Sequence, residues 1–300
     1  MGSLDVREGA GGFLALLHLD AVDADTFRAR QAPGPAEQLS RGLLGAQGLV
    51  AAGGTVDTDW RWVHSLHVTH LADGDADRPV EYGIERVRDS EHLSTRLVRA
   101  TQGGAPLATM TVSFQVPRPS RAPTHQQAQL DDWPDPHALP ATDAGAAMDV
   151  RYVDRVPWST GMSNTGASAT ANRIWLRFTE EIPDRILLHA AAIVYAADLL
   201  LVEPLVGPEG PELATGHGLH AETLDLSVRF HRGFRADDWM RHEHELPVTA
   251  DHRALTTGRF FSSMGRLVAS VSQETALLPV AAADTRTVVV TRPAGGSREE

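Results

Sequence analysis

Residues Ile186 to Val202 form an apolar run broken only by His189 and Asp198. The spacing predicts a helix over about Arg185–Val202, and that helix has no polar stripe to turn toward water. A helix apolar on nearly every face has to be enclosed. It is short for a membrane span and carries two ionisable groups, so membrane insertion is not expected. A curved antiparallel sheet wrapped around a central helix is one way to enclose it.

The rest of the chain supplies such sheets, in two rounds. A first helix is predicted over about Leu39–Ala52. Strands are predicted to follow at Val63–Leu71, Pro79–Arg88, His92–Gln102 and Pro106–Val116. After the second helix come strands near Glu222–His231, Asp238–Pro247, Arg253–Ser262 and Gly265–Leu277. Gly104-x-x-Leu107-Ala108-Thr109 is echoed by Gly265-x-x-Val268-Ala269-Ser270. One helix followed by four antiparallel strands, done twice, predicts an α+β fold built by duplication.

Between the halves, Pro117 to Pro140 contains six prolines. Residues 117–144 are therefore expected to be a linker, with Pro117–Pro140 outside the sheets. The expected units are 1–116 and 145–278, and the small polar residues 279–300 are expected to form a tail.

Composition removes whole classes of chemistry. The 300 residues contain no cysteine and no lysine. Disulfides, thiolate metal sites, cysteine nucleophiles, Schiff bases and the P-loop are excluded. A net charge of −12 argues against nucleic-acid partners. The stretch Phe13–Leu19 lacks a basic flank and a cleavage site, so a cytoplasmic protein is expected.

Fourteen histidines make a metal site worth testing. Strand alternation puts His67 opposite His64 and His70, and the latter two are about 20 Å apart. His242 and His244 share a face without a third ligand, and are expected to be a solvated or capped pair. No metal or cofactor is therefore expected. Gly161-Met162-Ser163-Asn164-Thr165-Gly166 is out of register for a nucleophile elbow. Asp198, a carboxylate on an enclosed helix, is what remains as a candidate site; it could instead sit at the helix end and reach solvent.

Over most of residues 27–278 the chain resembles the acyl-CoA thioesterase II family, which has a double hotdog fold. The likeness is carried by Val63-His64-Ser65-Leu66-His67, Met110-Thr111-x-Ser113-Phe114-Gln115-x-Pro117, Ala197-Asp198-Leu199, Thr223-Leu224-Asp225-x-Ser227 and Gly265-x-Leu267-Val268-Ala269-Ser270-x-x-Gln273-Glu274. The resemblance implies that water attacks the thioester of an acyl-CoA or acyl-carrier substrate, held by Asp198, Thr223 and Gln273. It also implies Asp198 as general base, and an oxyanion met by a backbone N–H or by the glutamine amide. A homo-oligomer is expected.

Two readings stand beside hydrolysis: a hydratase or dehydratase of carrier-bound thioesters, and a non-catalytic acyl-thioester-binding protein. The chain departs from the family at Leu43, where a glutamine is usual, and at Arg229, where a tryptophan is usual. Both are expected to border the helix–sheet seam and so to alter the acyl pocket.

Overall fold

The computed structural model describes residues 12–29, 39–118, 125–126, 132–143, 147–154, 171–202, 205 and 219–279. The stretch 161–166 and the expected tail beyond Pro279 lie outside them. Thirteen strands form one sheet in the order β1-β2-β4-β5-β6-β3-β10-β13-β12-β11-β9-β8-β7, every neighbouring pair antiparallel. In the first half these are β1 (Leu19–Ala21), β2 (Thr26–Ala29), β3 (Trp62–His70), β4 (Glu81–Asp89), β5 (Leu93–Gln102) and β6 (Ala105–Gln115). The second half has β7 (Thr142–Asp143), β8 (Met148–Tyr152), β9 (Ala171–Phe178), β10 (Leu219–Phe230), β11 (Met240–Ala250), β12 (Arg253–Ser262) and β13 (Leu267–Pro279).

The order mirrors itself about the β3–β10 pair, where Asp225 faces Thr69 and Arg229 faces Ser65. The two predicted rounds thus merge into one continuous sheet. The helices are α1 (Phe13–Leu16), α2 (Arg41–Gly53) and α3 (Ile186–Leu201).

Twelve of the sixteen residues of α3 are buried, as its all-round apolar pattern requires. Each large apolar side chain taken out of water stabilises the fold by about 1.5–3 kcal/mol. The helix α2 starts at Ser40, whose side chain accepts the Leu43 N–H at 3.2 Å. It crosses α3 antiparallel and very closely. A Cβ on Gly42 would lie 2.8 Å from the Tyr195 carbonyl oxygen, and one on Gly53 would lie 2.4 Å from the Leu187 side chain. Glycine costs a helix about 1 kcal/mol each, and here it is what permits the approach.

Several expectations are corrected. The expected linker 117–144 ends inside the sheet, because Thr142–Asp143, past Pro140, adds the edge strand β7 against β8. A 3₁₀ turn at Pro136–Ala138 precedes it, capped by Asp135, whose Oδ1 accepts the His137 N–H at 2.8 Å. Proline fits the first position of such a turn, since no N–H is needed there. The Trp175 indole N–H donates to the Pro134 carbonyl at 3.0 Å, and Trp133 packs edge-on to Trp175. Covered from outside in this way, Trp175 is buried and β9 loses the period-2 pattern that marks a strand.

A register shift between Val63 and Ser65 breaks the alternation on β3, so the inward set is Val63, Leu66, Val68 and His70. His64 therefore does not share the inward face of His70.

His242 and His244 are not solvated; both are buried, their rings 5.2 Å apart, with His242 stacked on Phe260. Burial pushes His242 well below the ordinary histidine range and takes His244 down to about 3. His70 falls to about 3 as well, mainly by burial and also by the charge of Arg41. A histidine whose folded pKa is depressed favours the fold above its unfolded pKa, and that contribution is lost as pH falls through the window below about 6.5. Acidification should therefore unfold the protein, each such histidine costing about 1.4 kcal/mol per pH unit down to its folded pKa. His244→Met is expected to move the acid-unfolding midpoint, followed by circular dichroism, to lower pH.

Candidate functional site

Asp198 lies on the last turns of α3, where α2 begins. As a residue it is half-buried, whereas Thr223 and Gln273 are buried on the inward faces of β10 and β13. The structure brings the three together as a chain rather than a cluster. The Thr223 hydroxyl donates to Asp198 Oδ1 at 3.2 Å, and the Gln273 amide donates to the same Thr223 Oγ1, also at 3.2 Å. Because the amide satisfies the Thr223 lone pair, the hydroxyl proton is free to point at the carboxylate. Gln273 makes no direct hydrogen bond to Asp198 among the described residues; its second N–H goes to Thr275 Oγ1 at 3.3 Å.

The other carboxylate oxygen is held by α2. The Gly42 N–H donates to Asp198 Oδ2 at 2.8 Å. This is one of the first-turn donors that a helix leaves unpaired, and it carries the positive end of the helix dipole. Burial nevertheless dominates and raises the Asp198 pKa above its ordinary 3.8, against Gly42, Thr223 and Arg41, which lower it. The result is a fixed carboxylate with more proton affinity than a surface aspartate.

Residues not singled out in the sequence complete the surroundings. Arg41, first residue of α2, donates to the Thr223 carbonyl and pairs with Asp73 and Glu222, each at 2.7 Å. It thereby ties the start of α2 to β10 at the position of Thr223. The only sequence sign of Arg41 was a charge at a helix start, where cations are disfavoured. Gln47 on α2 bridges the core: its amide donates to the Leu16 carbonyl and its oxygen accepts the Tyr82 hydroxyl.

Of the two departures, Leu43 is buried in the helix–sheet seam as expected. Arg229 is not; it is exposed, beyond the inward-facing Val228 and Phe230. Strand alternation puts it on the far side of β10 from the helices.

Among the described residues no group of three metal-ligating side chains is close enough to hold an ion. No helix among them is long and apolar enough to cross a membrane.

The likeness to known proteins bears on the same elements. Residues 41–115 match the acyl-CoA thioesterase N-terminal domain, and residues 119–277 match the acyl-CoA thioesterase C-terminal domain. Acyl-coenzyme A thioesterase 8 of Homo sapiens is 31% identical over 284 residues, 86% of each chain. Among solved structures, acyl-CoA thioesterase II TesB2 from Mycobacterium marinum superposes with a TM-score of 0.74 at 33% identity, covering 88% of this chain and 96% of its own. A hot dog fold protein of unknown function from Alicyclobacillus acidocaldarius, 16% identical, reaches 0.71 over 89% of this chain and 98% of its own; it speaks for the hotdog fold alone. Both halves of the sheet, with the helices that meet at Asp198, fall within these matches, and the chain belongs to the acyl-CoA thioesterase family.

Proposed function

We propose that this protein hydrolyses acyl-CoA thioesters to the free acid and CoA, with Asp198 as general base. The observation that carries the reading is the hydrogen-bonded chain Gln273–Thr223–Asp198, ending in a carboxylate of raised proton affinity. Asp198 takes a proton from the attacking water, the new C–O bond forms, the C–S bond breaks, and the proton passes to the departing thiolate. Thr223 aligns the carboxylate and, through it, the water. Gln273 is a positioning residue that acts through Thr223. With its amide committed to Thr223 and Thr275, the oxyanion falls to a main-chain N–H rather than to the glutamine.

The architecture that suits this reading is a double hotdog: units 1–116 and 145–278, joined by 117–144 and followed by a tail, 279–300. The mirrored strand order and the antiparallel helix pair support it. We take the protein to work as a cytoplasmic homo-oligomer, whose assembly light scattering would test.

A hydratase would need a histidine base beside the acid. His189 is nine residues from Asp198, about 13 Å along the helix, and its Nδ1 accepts the Ala236 N–H at 3.1 Å. Nothing at the site favours that reading.

Release of CoA thiol from a series of acyl-CoA chain lengths tests the proposal, and no turnover on any of them would overturn it. Thr223→Ala and Gln273→Ala are each expected to lower turnover by about tenfold or more, less than loss of the base. The double variant should fall little below Thr223→Ala, because Gln273 works through the hydroxyl that is already gone. Full additivity would show that Gln273 acts independently.

A further inference from the structure

The antiparallel crossing of α2 and α3 builds the same kind of place at both ends. Gly42 on α2 packs against Asp198, and Leu187 on α3 packs against Gly53. The offsets 187 − 42 and 198 − 53 are equal, so Gly53 stands where the first site has its carboxylate. At this far end a cavity of about 590 Å³ opens beside the start of α3.

Three features of its wall point to a ligand. His189 is only 1% exposed and lines the cavity. Its Nδ1 accepts the Ala236 N–H, so the ring proton sits on Nε2, and Nε2 has no partner among the described residues. A buried donor without an acceptor is costly, and an acceptor placed in the cavity would recover that cost. The helix that begins here is sixteen residues long, and no side chain caps its first turn. Arg185, at its N-cap, also lines the cavity and has no carboxylate partner among the described residues; its guanidinium reaches only Thr58 Oγ1, at 3.3 Å.

We propose that this cavity is a second, non-hydrolytic site that binds a free carboxylic acid bearing an acyl chain. The carboxylate lies at the start of α3 between Arg185 and His189 Nε2–H. The chain runs along Phe234, Trp239 and Val268, which line the same cavity, and toward an adjoining hollow of about 210 Å³ that shares Phe234 with it. Asp59, Asp184 and Asp238 also line the cavity, and they favour a monoanion over a polyphosphate. With Gly53 in place of an aspartate, no base is present at that position to activate water. The choice of an acyl acid as ligand rests on the thioesterase reading, because such an acid is its product; the site itself rests on the wall just described.

The test is a titration of the full chain with decanoate carrying ¹³C at the carboxyl, followed by NMR. The parent protein should give a saturable bound carboxyl resonance, and Asp198→Asn should retain it. Arg185→Glu should weaken that binding about tenfold or more, while the helix start itself tolerates or favours an acidic residue. Decanol, the same chain without the charge, should bind about tenfold or more less tightly than decanoate. Equal binding by Arg185→Glu, equal binding of decanol, or loss of the resonance in Asp198→Asn would each overturn the proposal. Binding with the expected pattern in a protein that hydrolyses no thioester would uphold the site and overturn only the thioesterase reading.

Discussion

Asp198→Asn is expected to lower turnover by about 10²–10⁴ while leaving the protein at least as stable at neutral pH as the parent. The loss follows from removing the only group of the trio able to take a proton from water. The stability follows from the direction of the Asp198 pKa. Burial raises it above 3.8, so the folded chain holds that proton more tightly than the unfolded chain does. A carboxyl group of this kind favours the fold at low pH, and the contribution disappears as pH rises from about 4 through the folded value. At neutral pH the carboxylate is ionised at a cost.

Asparagine is nearly isosteric, can still accept the Gly42 N–H, and carries no charge to desolvate. Its advantage in thermal unfolding should grow with pH above about 4 and then level off. The parent's kcat should also rise through an acid limb that lies above the ordinary aspartate range. A variant with parental turnover on a confirmed substrate would remove Asp198 from the mechanism. One that unfolded readily at neutral pH would mean that the Gly42 and Thr223 hydrogen bonds outweigh the burial of charge.

Gly42→Ala should damage stability and turnover together. The added carbon would lie 2.8 Å from the Tyr195 carbonyl oxygen and 2.9 Å from Asp198 Cβ. The first neighbour is backbone and cannot swing aside, so the two helices must separate. Overpacking of this kind costs about 1–3 kcal/mol. The helix propensity of alanine, about 1 kcal/mol better than glycine, returns part of that. Turnover should fall more steeply than stability implies, by about 10²-fold, because the shift moves the Gly42 N–H away from the carboxylate that it orients. Crystallography of the variant would show the altered crossing. Unchanged melting and unchanged turnover would mean that the helix pair is far more compliant than its packing suggests.

Gly54 shows how much depends on such contacts, since a Cβ there would meet the Phe27 ring at 2.7 Å. Phe27 lies on β2, a strand absent from the sequence reading. The strands missed were β1, β2, β7, β8 and β9, the outer members of the sheet. Strands β1 and β7 are only three and two residues long, too short for alternation to register. Strand β9 is buried on both faces because Trp133 and Pro134 cover it from outside. The pairing of Thr142–Asp143 with β8 was hidden by prolines that end before it.

The sequence by itself determined the enclosed helix and the two rounds of helix and strands, because hydrophobic period is a local property that neighbouring residues share. It also presented Asp198 as a carboxylate with no simple reason to lie on an apolar helix. Only the tertiary structure decided what that carboxylate touches. Thr223 and Gln273 are neighbours because β10 pairs with β13 around a register shift at Thr223–Asp225. Gly42 reaches Asp198 because the glycine-lined α2 crosses α3 within backbone contact. The contacts of Arg41, the turned-out Arg229 and the buried His189 follow from the same long-range register. No spacing along one chain encodes such contacts, since each depends on where a second, distant segment comes to rest.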